Sequence, residues 1–284
     1  MITLSGAGCS PPGGGVSFVG SLDSFQASLT SHWSLHTRRF TSYTGNLVRI
    51  RRSGDNAELN FGALVNGNLD TATLVAWVVA GGGTRHGHVV TVFDQLSGAP
   101  GNLGQATAAR QPRLVISGAL QTGADGKPCA IYSASANSLL LTYSRSAADF
   151  TAGSVATTRS AVVGSGQSSF SQANYGSGAY QQTSTSPYTT KAIFIGSMIG
   201  GGTYANNNRE VNAYRVSGTT FSYHCGASIQ ITTTNGAVSR ALTNPLFGAA
   251  ADDGWASMAN WQEGYLALSA LSNTTINGLE SALT

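Results

Sequence analysis

In "NLVRIRR", residues 46–52, apolar and charged side chains alternate. Val48 and Ile50 fall on one face of an extended chain and Arg49 and Arg51 on the other. That period of two predicts a half-buried strand. The rhythm breaks in "NLDTATLVAWVVAGGG", where Asp70 stands as the cap of a short helix. Leu74, Val75, Val78 and Val79 share one face of that helix, and Gly81–Gly83 end it. A strand follows in "HVVTVFDQ". Residues 112–145 then alternate short apolar runs with turns: "PRLVISG", "GKPCAIYS" and "NSLLLTYS". In "SIQITTTNGAVSRAL" the Asn235-Gly236 pair suits a type I′ turn between two alternating strands. "TINGLESAL" near the end predicts one or two turns of helix.

About a dozen short strands, one early helix and no strand–helix–strand rhythm predict an all-β fold, two antiparallel sheets packed as a sandwich. Residues 1–21 are rich in Gly, Ser and Pro and are expected to form an N-terminal arm, with residues 22–284 as the sandwich.

Composition agrees with that outline and narrows the function. The 284 residues include 36 glycines and only 8% aromatic side chains, which favours short strands joined by tight turns. Fifteen basic and twelve acidic residues leave a net charge of +3, too small to predict a nucleic-acid partner. No run approaches the roughly 18 apolar residues that cross a bilayer, and membrane insertion is not expected. "MITLSGAGCSPPGGG" has no basic region before an apolar run, so no secretory signal is read there. Cys9, Cys129 and Cys225 cannot all pair within one chain. Cys129 and Cys225 sit in apolar, strand-like segments and are expected to be buried free thiols of a chain made in a reducing cytosol.

Two stretches suggest interactions. Residues 160–190 carry no charge, yet hold Phe170, Tyr175, Tyr180 and Tyr188 among Ser, Gly, Gln and Asn. Rigid rings among small polar residues suit a glycan or a protein neighbour, and these four are the candidate binding residues. Residues 49–58 crowd Arg49, Arg51 and Arg52 beside Asp55 and Glu58. Elsewhere the chemistry is sparse. His86 and His88 lie on one side of a strand but are too few to make a metal site. Asp252 and Asp253 stand in a turn without the spacing of an EF-hand, so Ca²⁺ is unsupported and no metal or cofactor is assigned. Asp94 in "FDQLSG" is read as ordering its own turn.

"SYTGNLVRIRRSGDNAELNFG", "NGNLDTATLVAWV", "VVTVFDQLSGAPGNLGQATAARQPRLV" and "GKPCAIY" occur in that order at close spacing. Together they resemble the catalytic-domain family of α-L-arabinofuranosidase B, glycoside hydrolase family 54. They resemble still more a set of bacteriophage virion proteins with the same concanavalin-A-like, LamG-like sandwich. "NWQEGYLALSALSNTTINGLESAL" is similar to the closing strand and helix of such domains. The resemblance implies an antiparallel jelly roll in which Arg49, Arg51 or Arg52 pairs with Asp55 or Glu58 as a structural cluster.

The catalytic pair of the arabinofuranosidases lies farther along, where this chain stops matching. Residues 160–208 hold no Asp or Glu, and the family's adjacent cysteine pair has no counterpart. No catalytic residue is therefore assigned. The resemblance implies a non-enzymatic virion protein, made in the host cytoplasm: a capsid-decorating, head-fibre or tail-associated subunit. Other virion proteins, copies of itself and a host surface glycan are its expected partners. The alternative is an arabinofuranosidase-type glycoside hydrolase acting on polysaccharide, with Glu210, Asp252, Asp253 and Glu263 as the carboxylates to test.

Overall fold

The computed structural model describes residues 18–96, 101–131, 141–142, 149–157, 167–172, 178–182, 190–194, 198–200, 209–225, 228–234, 245–247 and 260–284. β1 (Ser31–Ser34), β2 (Asn46–Arg52) and β3 (Glu58–Gly62) precede α1 (Thr71–Ala80). β4 (Gly87–Val92), β5 (Leu103–Gly104), β6 (Arg113–Ile116), β7 (Ala119–Leu120) and β8 (Leu141–Thr142) follow. Next come β9 (Phe150–Thr157), β10 (Gln167–Gln172), β11 (Gly178–Gln182), β12 (Thr190–Phe194) and β13 (Met198–Gly200). β14 (Arg209–Ser217), β15 (Thr220–Cys225), β16 (Ser228–Thr234), β17 (Pro245–Phe247) and β18 (Asn260–Ala267) lead into α2 (Asn273–Leu283).

These strands form two antiparallel sheets, and the fold is the all-β sandwich expected. The smaller sheet runs β1-β18-β9-β14-β15-β16. The larger runs β13-β12-β11-β10-β17-β8-β5-β4-β2-β3, with β6 joined to β4 and β7 to β6. In β2 the alternation holds: Val48 and Ile50 are fully buried, while Arg49 and Arg51 are only partly covered. One core fills the space between the sheets, built from Ile50, Val89 and Val92 of the larger and Phe150, Tyr214, Phe221 and Trp261 of the smaller. Each such side chain contributes roughly 1.5–3 kcal/mol by leaving water.

The smaller sheet is covered on its other face as well. Leu22, Phe40, Val155, Val211, Tyr265, Ile276 and Leu279 make a second core between that sheet, the chain leading into β2, and α2. All eight residues of β9, "FTAGSVAT", are therefore buried. Gly153 is required there. It faces Tyr265 across the β9–β18 ladder, and a Cβ on it would lie 2.1 Å from the Tyr265 ring.

Asp70 caps α1 by accepting from the Thr73 backbone N–H at 3.1 Å, and Leu74 and Val78 are its buried residues. The C-terminal helix is longer than expected, with 11 residues. Ser272 caps it through the Thr275 N–H at 3.1 Å, and Ile276, Leu279 and Leu283 recur along its buried face. That tertiary cover outweighs the poor helix propensity of its Thr, Asn and Gly. Cys129 and Cys225 are buried, and neither is bridged among the described residues. β16 supplies the first arm of the expected hairpin and pairs with β15. Its Asn235-Gly236 turn and second arm lie outside the described residues.

Candidate active site

The charged strand resolves into local contacts at the edge of the larger sheet, where β3 is the last strand. Arg52 holds Asp55 with two bonds, Nε–Oδ1 at 2.8 Å and Nη2–Oδ2 at 2.7 Å, and its guanidinium lies over the Trp77 ring. Bonding to Arg52 and to the Ala57 N–H lowers the Asp55 carboxyl to about 2. Arg51 donates to Gln111 and Asn56, and Arg49 donates to Asn60. Glu58 stands opposite Arg51 in the β2–β3 register.

Phe170 lies on β10 opposite Ala179 and Phe247, and Tyr180 lies on β11 opposite Ser168 and Ala192. Tyr175, Tyr188, Asp252 and Asp253 fall outside the described residues. β10 lies against β9, and β11 lies against β14, so the uncharged segment reaches the smaller sheet through its backbone. Among the described residues, no three His, Cys, Asp or Glu side chains gather as a metal site requires. His86 and His88 meet edge-on with ring centres 6.2 Å apart. Asp94 orders its turn through the Leu96 N–H and also ties it to β1 through the His32 N–H. Burial raises its carboxyl above the ordinary value.

Among the described residues the densest charge cluster surrounds Glu263, which has no exposed surface. Arg39 grips both carboxylate oxygens, Nε–Oε1 at 2.6 Å and Nη2–Oε2 at 2.8 Å. His32 Nε2 lies 2.9 Å from Oε1 and His36 Nε2 3.1 Å from Oε2. Burial opposes ionisation of Glu263, but the Arg39 charge and the bonds from both histidines and Arg39 hold its carboxyl well below the usual range. Beside it, the turn Gly123–Lys127 carries Asp125, which pairs with Arg209 at 2.8 Å and accepts from Gln262 Nε2 at 2.7 Å. With both oxygens held in the core, Glu263 is a structural anchor and cannot reach a substrate. Sequence reasoning passed over His32, His36 and Arg39. The signal was present: a charged residue inside the apolar run "NWQEGYLAL" must find a partner if it is buried.

Two cavities have charged linings. One, of about 390 Å³, borders the Glu263 cluster through His36, Arg39 and Lys127. The other, of about 420 Å³, lies where β14 and β15 meet the last turn of α2. Glu210 and Glu280 line it together with Arg209 and Cys225. Alternation along β14 puts Glu210 and Asn212 on the side of Tyr214 and Val216, facing the larger sheet. Asn212 accepts a hydrogen bond from the Tyr223 hydroxyl at 2.6 Å, so this end of the intersheet space is polar. Glu280 is 1% exposed; burial first, and then the Glu280 charge, raises the neighbouring Tyr265 phenol. Acid–base work on a glycosidic bond needs two carboxyl groups, and Glu210 and Glu280 border this cavity from opposite faces of the smaller sheet.

No family model matches the chain, and no curated protein does. Solved structures do. An arabinofuranosidase complexed with arabinofuranosyl-α-1,2-xylobiose superposes with a TM-score of 0.66 at 12% identity, over 93% of this chain and 64% of the other. The chain has the fold of the arabinofuranosidases. A family 54 α-L-arabinofuranosidase soaked with a cyclic sulfate inhibitor gives a TM-score of 0.61 at 11% identity, over 93% of this chain and 65% of that one. A variant of such an enzyme soaked with 4-nitrophenyl α-L-arabinofuranoside gives 0.60 at 12%, with the same coverage. The chain thus spans just under two thirds of these proteins, and the likeness is one of fold.

These neighbours correct the expectation of a non-enzymatic protein. Three solved structures that match 93% of the chain are arabinofuranosidases with ligands or inhibitors. The expected virion role finds no support among them.

Proposed function

We propose that the chain is a glycoside hydrolase of the arabinofuranosidase type, acting on polysaccharide, with its chemistry at the cavity that Glu210 and Glu280 line. The observation that carries this reading is a cavity bordered by both Glu210 and Glu280, within a sandwich shared with arabinofuranosidases. The volume, about 420 Å³, falls in the usual range for small-ligand sites. Glycoside hydrolysis needs one carboxyl to protonate the leaving oxygen and a second to attack the sugar or activate water. Glu210 is the group assigned to the reacting face. Glu280 is the second carboxyl on the same cavity.

Incubation of the purified chain with 4-nitrophenyl α-L-arabinofuranoside, other aryl glycosides and an arabinose-bearing polysaccharide tests the reading. Turnover is expected, and Glu210→Gln should lower kcat/KM by about 10²–10⁴-fold with the fold intact. Glu280→Gln, Asp252→Asn and Asp253→Asn identify the second carboxyl. No turnover on any substrate, or full activity in Glu210→Gln, overturns the proposal.

A further inference from the structure

The cavity of about 390 Å³ is lined by two cationic side chains, Arg39 and Lys127, and by no carboxylate. Glu263 is matched by Arg39, and Asp125 is shared between Arg209 at 2.8 Å and Lys127 at 3.8 Å, so Lys127 is the least firmly paired of the three cations. Burial holds the His36 imidazole below its ordinary value, so it adds no charge near neutral pH. Lys127 stands closest to solvent among these cations, with 39% of its side chain exposed, and its Nζ sits a loose 3.8 Å from Asp125. Burial first, then the charges of Arg209 and Arg39, press its ammonium below the ordinary lysine value. Like charges crowded in this way favour entry of an anion.

The rest of the lining is not that of a bare anion site. Thr37, Asn68 and Thr71 bring hydroxyl and amide groups, and Leu69 and Pro128 bring apolar surface. Thr37 donates its hydroxyl hydrogen to backbone carbonyls, which leaves the oxygen able to accept. We infer that this cavity of about 390 Å³ binds a carboxylated sugar, its carboxylate beside Lys127 under the field of Arg39 and its hydroxyls on Thr37, Asn68 and Thr71. The site is separate from the cavity that Glu210 lines, and the inference does not depend on hydrolase activity.

Titration calorimetry on the whole chain tests it with three probes: sodium glucuronate, glucose as its neutral counterpart, and inorganic phosphate. Saturable binding of glucuronate is expected, with no binding of glucose and weaker binding of phosphate. Lys127→Gln should weaken glucuronate at least tenfold while Lys127→Arg keeps it, and a near-native melting temperature of both variants shows the fold intact. Absence of glucuronate binding, equal binding of glucose, or an unaffected Lys127→Gln overturns the inference. Phosphate binding as tightly as glucuronate overturns the assignment of a sugar acid.

Discussion

Arg39 and Glu263, 224 residues apart in sequence, form a bidentate pair inside the second core, at 2.6 and 2.8 Å. The pair ties the segment that leads into β2 to the last strand of the smaller sheet. His32 and His36 close the ring around the same carboxylate.

Breaking that pair from one side leaves a charge buried without its counterion. Arg39→Ala and Glu263→Gln are each expected to destabilise the protein by about 3–5 kcal/mol, read from urea midpoints. Replacing both residues by apolar ones, Arg39→Met with Glu263→Leu, should lie closer to wild type than Arg39→Ala alone. A single variant within about 0.5 kcal/mol of wild type would show that the cluster does not hold the fold.

Acid should weaken the fold in two steps. Burial, against the pull of Glu263, keeps the His36 imidazole below its ordinary 6.5. Arg39 and both histidines overcome burial to keep Glu263 well below its ordinary 4.5. In both cases the unfolded chain takes up the proton first, so stability is complete above the unfolded value and falls as pH falls. The His36 contribution declines below 6.5 and the Glu263 contribution below 4.5. Urea midpoints measured from pH 8 to 3 should show this decline, and Glu263→Gln should remove its lower step. A flat profile contradicts the assignment.

Gly153 is the point where β9 admits the Tyr265 ring. Gly153→Ala would put a methyl group 2.1 Å from that ring, and the core must shift to relieve it. A loss of about 1–3 kcal/mol is expected, visible as a lower Tm. Shortening the partner, Gly153→Ala with Tyr265→Leu, should recover part of that loss. An unchanged Tm in Gly153→Ala would mean that the ring moves freely.

The most charged stretch of the sequence should matter least to stability. Arg52 and Asp55 hold each other closely, but 46% of the Asp55 side chain is exposed and water screens the pair. Asp55→Asn is expected to leave the urea midpoint unchanged within error. A loss comparable to that of Arg39→Ala would reverse the ranking of the two ion pairs.

The difference between those pairs marks how far the sequence could be read. "NLVRIRR" announced its strand because one face is apolar and the other is charged, and Asp70 announced its helix because a cap is a local bond. The Glu263 cluster gave no comparable pattern, since its members lie in "HWSLHTRR" and "NWQEGY" at opposite ends of the chain. The candidate catalytic carboxylates were only partly legible. Glu210 was named for testing without a setting, and Glu280 was missed because a helix of Thr, Asn and Gly gave no sign of being buried.

By itself the sequence determined the class of fold: period-two strands, a capped early helix and turn-forming glycines leave an all-β sandwich as the consistent outcome. Tertiary structure decided which charges enter the interior. α2 and the chain before β2 cover the second face of the smaller sheet, and that cover turns β9 and β18 into strands buried on both sides. Burial of a charge depends on what arrives from elsewhere in the chain, and no local spacing records it.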